Sequence, residues 1–91
     1  MPLRIKRFDL LTDFRLRVEF TNGERHVVHL EPELRGEVFE PLRDPGFFSR
    51  ARLNHDTGTV EWPNGADFAP EFLYLLATSS AATPGERERG P

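Results

Sequence analysis

Phe14-Arg15-Leu16-Arg17-Val18-Glu19-Phe20 is the stretch that decides the fold, because apolar and charged side chains alternate strictly along it. A period of two is typical of a β-strand with one buried face, so this segment is predicted to be a strand with its apolar residues turned inward. The next residues, Thr21-Asn22-Gly23, supply a turn, and Glu24 to Leu30 resumes as a β-rich segment. The sequence therefore predicts a hairpin.

The pairing of apolar residues predicts the length of this turn. A two-residue turn would place Leu16 opposite the polar His29. A three-residue loop that ends with Gly23 in a left-handed conformation places Leu16 opposite Val28 instead. We therefore predict the three-residue loop, which also leaves His26 on the core-facing side.

The rest of the chain carries weaker signals of strands and helices. Leu3, Ile5 and Phe8 suggest an N-terminal strand, and Asp44-Pro45 provides a helix N-cap followed by a first-turn proline. Residues 51–62 read as a second hairpin with a loop of two or four residues, and residues 70–77 read as a C-terminal helix. The predicted fold class is α+β, with a small antiparallel sheet of two hairpins plus an N-terminal strand and short helices packed on one side.

Length and composition limit the classes of protein to which the chain can belong. It has 91 residues, 37% of them hydrophobic, with a net charge of −3 and no cysteine. These values exclude a disulfide framework, and no apolar run has the length of a membrane span. All large apolar side chains after Met1 lie within residues 2–77, so we predict a single compact domain there and a flexible polar tail over residues 78–91. The expected location is the cytoplasm.

Basic residues are concentrated near the start of the chain. Residues 1–30 carry six basic and four acidic side chains, whereas residues 31–77 carry four basic and nine acidic ones. On the predicted hairpin, the polar face combines two arginines of the first strand with three residues of the return strand. This candidate interaction surface consists of Arg15, Arg17, Arg25, Val27 and His29.

Side chains suited to catalysis or metal binding are present, but their spacing does not indicate a site. His26 and His29 are three apart on a strand, so they point to opposite faces and cannot bind one ion together. No P-loop, GxGxxG, GxSxG or HExxH motif occurs. We therefore predict no catalytic residue, no metal and no cofactor. One enzymatic alternative remains near the second hairpin, at His55, Asp56, Glu61 and Asp67.

The most unusual local string is Trp62-Pro63-Asn64-Gly65, followed by Asp67. It combines the end of a strand with a proline of fixed φ and a glycine that accepts positive φ. Trp62 is expected to be a core anchor whose indole N–H needs a partner. The alternative is that Trp62 faces a ligand, so the residues of this turn (Trp62, Pro63, Asn64, Gly65 and Asp67) are candidates for function as well as structure.

The order of these segments resembles a family of small bacterial domains of unknown function, DUF2442. The segments that carry the resemblance are Phe20-Thr21-Asn22-Gly23-Glu24, Val28-His29-Leu30, Thr59 to Asp67, and Pro70 with Leu73-Tyr74. The resemblance implies a compact α+β domain, sometimes fused to a helix-turn-helix and often encoded beside another small gene in a toxin–antitoxin-like pair. His29 stands where the family commonly has aspartate, and residues 78–91 are too short and too polar for a helix-turn-helix.

Three hypotheses for function follow. The first is a non-enzymatic interaction module that binds a protein partner, antitoxin-like in its gene pairing, with homodimerisation through the sheet as one form. The second is a nucleic-acid-binding regulator that uses the arginine-bearing face. The third is a small-ligand or enzymatic site near the second hairpin.

Overall fold

The predicted central hairpin lies in a three-stranded antiparallel sheet whose strands lie side by side in chain order. The computed structural model describes residues 2–80. In this range β1 is Ile5–Leu10, β2 is Arg15–Phe20 and β3 is Arg25–His29. Leu16 pairs with Val28, and Gly23 has φ +90° at the end of a three-residue loop. The predicted register and loop length are therefore confirmed.

The second hairpin forms a separate two-stranded sheet of β4 (Arg52–Asn54) and β5 (Thr59–Glu61). Leu53 pairs with Val60, which leaves a loop of four residues, one of the two predicted lengths. This sheet adjoins the N-terminal end of β1, where the Ile5 N–H donates to the Gly58 carbonyl at 2.8 Å. Gly58 has φ +75°, and a Cβ atom there would lie 2.8 Å from the Arg4 guanidinium. Glycine thus permits both the turn and the close approach of Arg4.

Helices and short turns connect and cover the two sheets. Two 3₁₀ turns, Glu31–Glu33 and Glu40–Arg43, precede helix α1 (Pro45–Phe48), and helix α2 is Pro70–Ser80. The Asp44 side chain accepts a hydrogen bond from the Phe47 N–H at 3.0 Å, which confirms the predicted N-cap. The predicted α+β class is confirmed, and the two hairpins lie in two sheets.

Two boundaries differ from the sequence prediction. The strand β2 begins at Arg15, because Asp13 and Phe14 adopt left-handed conformations with φ 60° and 59° in the turn after β1. The ring of Phe14 still packs edge-on against Phe48, at 5.3 Å between centroids. At the other end, α2 continues to Ser80, so the first three residues of the predicted tail are helical. The rest of that predicted tail lies outside the described residues.

The core lies between the inner face of the three-stranded sheet and the elements that follow it. Leu16, Val18 and Phe20 of β2 are fully buried, and so is Leu73 of α2. Trp62 is 2% exposed and packs on Phe48 and Phe68. Within residues 2–80, no helix has the length and apolar content needed to cross a membrane.

A polar cluster joins helix α2 to the turn of the central hairpin. The Tyr74 hydroxyl donates to the Glu24 carboxylate, whose oxygens lie 3.0 and 2.9 Å away. His26 Nε2 lies 2.8 Å from the same carboxylate. The hydrogen bonds from His26 and Tyr74 lower the pKa of Glu24 below its ordinary value of 4.5. The bond to Glu24 raises the pKa of Tyr74 above 10.0.

These shifts predict how stability depends on pH. Because the pKa of Glu24 is lowered in the folded state, its contribution to stability is complete above pH 4.5 and is lost as the pH falls through the lower folded-state pKa. The contribution of Tyr74 is complete below pH 10.0 and is lost as the pH rises through its raised pKa. We expect Glu24→Gln to flatten the acid limb of the free energy of unfolding, measured by urea denaturation. Glu71→Gln, on the exposed side of α2, is the control, and an equally steep acid limb in both variants would contradict the assignment.

Candidate functional site

The solvent-facing side of the three-stranded sheet, here called the outer face, is a grid of charged side chains. In one row, Glu19 lies between Arg7 and Arg25, and in the next row Arg17 lies between Asp9 and Val27. A third row pairs Arg15 with His29. Residues directly opposite on paired strands have Cβ atoms about 4.5–5.5 Å apart, so each row is one set of interacting side chains.

All five residues of the predicted interaction surface lie together on the outer face. They are odd-numbered residues of β2 and β3, as is Glu19, and the period of two turns them away from the core. The side chains of Arg17 and Arg25 are 56% and 72% exposed, and Val27 is 46% exposed. The surface is therefore accessible to a partner.

A β-bulge adds two cations that the sequence interpretation did not assign to this surface. Ile5 pairs with Phe20, but Arg7 pairs with Glu19, so the register shifts by one residue at Lys6. The extra residue turns Arg7 to the outer face while Ile5 stays buried. The spacing of the apolar residues Ile5 and Phe8, three apart in a strand, is the signal that could have revealed the bulge.

Glu19 is the electrostatic centre of the outer face. Its carboxylate lies 3.2 Å from Arg7 Nε, 3.6 Å from Arg25 Nε and 3.9 Å from Lys6 Nζ. The Glu19 side chain is only 12% exposed, whereas those of its three partners are well exposed. One poorly hydrated carboxylate thus orients three exposed cations. Because these side chains are already restricted, they lose less conformational entropy when a partner binds.

The remaining charges of the face are also paired. Arg17 lies 3.9 Å from Asp9, and Arg15 lies 3.9 Å from Asp13. Arg15 Nε also donates to the Thr12 carbonyl at 3.0 Å. His29 Nε2 lies 3.6 Å from Glu31. The ion pairs of the face join five lysines or arginines and one histidine to four carboxylates, so its charge is mixed, with only a small positive excess.

The phenylalanine rings of this sheet belong to the opposite side. Phe20 is fully buried and packs edge-on against Tyr74 at 5.3 Å, and Phe8 packs against the core. Proteins that bind single-stranded nucleic acid stack bases on exposed aromatic side chains. Within the described residues, the outer face of these strands offers guanidinium groups, the His29 imidazole and Val27 for contact, but no Phe, Tyr or Trp ring.

The turn that begins at Trp62 is anchored to the core by its tryptophan and by Ala66, while the residues between them are exposed. The indole Nε1–H donates to the Phe48 carbonyl at 2.8 Å, which supplies the partner that the sequence interpretation required. Asn64 donates from Nδ2 to the Val38 carbonyl at 2.8 Å and accepts from the Ala66 N–H at 3.1 Å. Gly65 has φ +89°, as the turn needs. Pro63 and Asp67 are exposed at its edges.

The second hairpin contains the residues of the enzymatic alternative. A shallow depression of about 400 Å³ is lined by Arg52, Leu53, Asn54, His55, Asp56 and Glu61. The Glu61 carboxylate accepts a hydrogen bond from Asn54 Nδ2 at 2.9 Å and pairs with Arg52 at 3.4 Å. Asp67 forms a backbone bridge with Glu61 and does not line the depression. Within the depression, the Glu61 carboxylate is thus engaged by neighbouring side chains.

Residues 2–80 contain no group of three or more His, Cys, Asp or Glu side chains placed to bind a metal ion.

A second cavity, of about 320 Å³, lies at the other end of the sheet and is mostly apolar. It is lined by Leu10, Leu11, Thr12, Asp13, Phe14, Pro45, Phe48 and Ser49. The sequence interpretation did not anticipate it, because it depends on the left-handed turn at Asp13 and Phe14.

The sheet order, the packed second hairpin and the uncovered outer face define a small α+β domain. The chain belongs to the family described as "Protein of unknown function (DUF2442)", whose model matches residues 5–79. The resemblance noted from the sequence is therefore confirmed. The chain matches no curated protein.

A solved structure shares the fold. It is the crystal structure of "Putative DNA Binding Protein NE0471" from Nitrosomonas europaea ATCC 19718, with a TM-score of 0.78 and 27% sequence identity. The match covers 89% of this chain and 52% of that protein, so this chain spans about half of its length.

The geometry at Trp62 predicts the cost of removing its hydrogen bond. Trp62→Phe leaves the buried Phe48 carbonyl with only the Ala51 N–H, at 3.3 Å, and opens a cavity, so we expect a loss of about 2–3 kcal/mol in the free energy of unfolding. Phe72→Leu is the control, because the Phe72 ring is partly exposed and its loss should cost about 1 kcal/mol or less. Urea denaturation measures both. Equal costs in the two variants would contradict a core role for the indole.

Proposed function

We propose that this chain is a non-enzymatic, cytoplasmic interaction module that binds a protein partner through its outer face. The observation that carries the proposal is the arrangement around Glu19, where one carboxylate orients exposed cations beside the exposed apolar Val27. Arginine is enriched at protein interfaces, and pre-oriented side chains bind with a smaller entropic cost.

The mixed charge of the face favours a protein as the partner. Asp9, Asp13, Glu19 and Glu31 interleave with the cations, so the face presents a pattern of both signs rather than a uniform positive field. A protein surface can complement such a pattern, whereas carboxylates next to the arginines repel phosphates. The family resemblance implies that such genes often lie beside another small gene, as in a toxin–antitoxin-like pair. This arrangement supports a partner encoded nearby.

The test is affinity capture after co-expression with the product of the adjacent gene. We expect capture by the natural chain and at least about tenfold weaker binding by the double variant Arg15→Ala/Arg17→Ala, because arginine is enriched among the interface residues whose truncation costs about 2 kcal/mol or more, and about 1.4 kcal/mol is tenfold in affinity. Arg35→Ala/Arg50→Ala, which removes two arginines outside the outer face, is the matched control. Recovery of no partner, or equal binding by all three proteins, would overturn the proposal.

A second candidate function is nucleic-acid binding by the same face. The name of the Nitrosomonas protein favours it, together with the three exposed arginines of β2 and β3. That protein has as much chain again beyond the shared region, so the activity in its name can belong to either half.

Fluorescence anisotropy with duplex DNA distinguishes the two functions. If the outer face binds phosphates, affinity falls steeply with salt, and Arg15→Ala/Arg17→Ala reduces the slope of log affinity against log salt by about 1–2. If the outer face is a protein site, the chain shows no salt-dependent retention of DNA, or the double variant retains DNA as the natural chain does.

A further inference from the structure

The two edges of the three-stranded sheet differ in how they are protected. Beside β1, the second hairpin accepts the Ile5 N–H at Gly58, and the bulge at Lys6 interrupts the regular ladder. Strand β3, by contrast, is regular along Arg25–His29 and contains no lysine, proline or bulge. Natural sheets use these devices to prevent strands of other molecules from pairing at an open edge.

The hydrogen-bond pattern shows which backbone groups of β3 are open. The Phe20 N–H donates to the Glu24 carbonyl, and the Leu30 N–H donates to the Phe14 carbonyl. Because hydrogen-bonded and non-bonded pairs alternate in an antiparallel ladder, the even-numbered residues of β3 bond to β2. The N–H and C=O groups of Arg25, Val27 and His29 therefore point away from the sheet, and within residues 2–80 no hydrogen bond to them is seen.

The side chains along this edge are complementary to a second copy of themselves. When two β3 strands pair antiparallel about a two-fold axis at Val27, every outward N–H meets an outward C=O of the other copy. Val27 then faces Val27 of the other copy, and Arg25 faces His29, whose Nε2 lies 3.6 Å from Glu31. The arginine of each copy thus approaches a carboxylate of the other, and two exposed valines cover each other.

We propose that the open edge of β3 pairs with the same edge of a second copy of this chain, in the register centred on Val27. The paired sheet has six strands and joins two outer faces into one continuous surface. This pairing uses backbone groups and does not depend on which ligand the outer face binds. A five-residue edge is a small interface, so the dimer is expected to form with rising protein concentration.

Val27→Pro tests the pairing with little change to the monomer. The Val27 N–H points outward, so proline removes no bond to β2 but blocks the two central bonds of the dimer. Sedimentation equilibrium should show the natural chain approach 21 kDa, twice the 10.5 kDa of one chain, as concentration rises. Val27→Pro should stay at 10.5 kDa, and the matched control Val27→Thr, which keeps the N–H and the β-branched shape, should dimerise.

Amide hydrogen exchange supplies a readout that requires no variant. In the dimer, the amides of Arg25, Val27 and His29 should become protected as concentration rises, while those of His26 and Val28 are protected throughout because they bond to β2. A chain that stays monomeric at every concentration would overturn the proposal, and so would a dimer whose three outward amides exchange freely. A proposed outer-face function can fail in Arg15→Ala/Arg17→Ala while this pairing persists, so the two failures are distinguishable.

Discussion

The burial of Leu16, Val18 and Phe20 beneath β2 is the constraint on which the rest of the structure depends. All three are fully buried, and side chains of this size each contribute about 1.5–3 kcal/mol by leaving water. Because side chains alternate along a strand, placing these three inward also places Arg15, Arg17 and Glu19 outward. A slip of one residue would bury the charges, so core and outer face are fixed by the same register.

Local pattern was sufficient to predict the hairpin register, since only a three-residue loop pairs Leu16 with Val28. It was also sufficient to predict the N-cap at Asp44. It did not predict the left-handed turn at Asp13 and Phe14, because bulky residues rarely adopt positive φ and the Phe14 ring packs on Phe48, a contact between residues far apart in the chain. The way in which the two sheets meet depends on a tertiary contact, the hydrogen bond from the Ile5 N–H to the Gly58 carbonyl.

The sequence predicted those residues of the candidate surface whose positions follow from the alternation of side chains along a strand. The five residues of β2 and β3 share a face for that reason alone. Arg7 joins them only because of the bulge at Lys6, which is a property of how β1 meets β2. The sequence was sufficient to predict that the buried Trp62 indole needs a hydrogen-bond acceptor. The acceptor, the Phe48 carbonyl, lies fourteen residues away in the chain and could not be identified from the sequence.

The junction at Gly58 has a consequence for the order in which the molecule assembles and opens. The Arg4 guanidinium donates to the carbonyls of His55 and Asp56, across a sequence separation of 51 and 52 residues, whereas the β2–β3 turn closes over three residues. Contacts between residues far apart in the chain form late, because the entropic cost of closing the long loop comes before the contacts can stabilise the fold. The second hairpin is therefore expected to dock last in folding and detach first in partial unfolding, while the strand pair that presents Arg15, Arg17 and Arg25 stays intact.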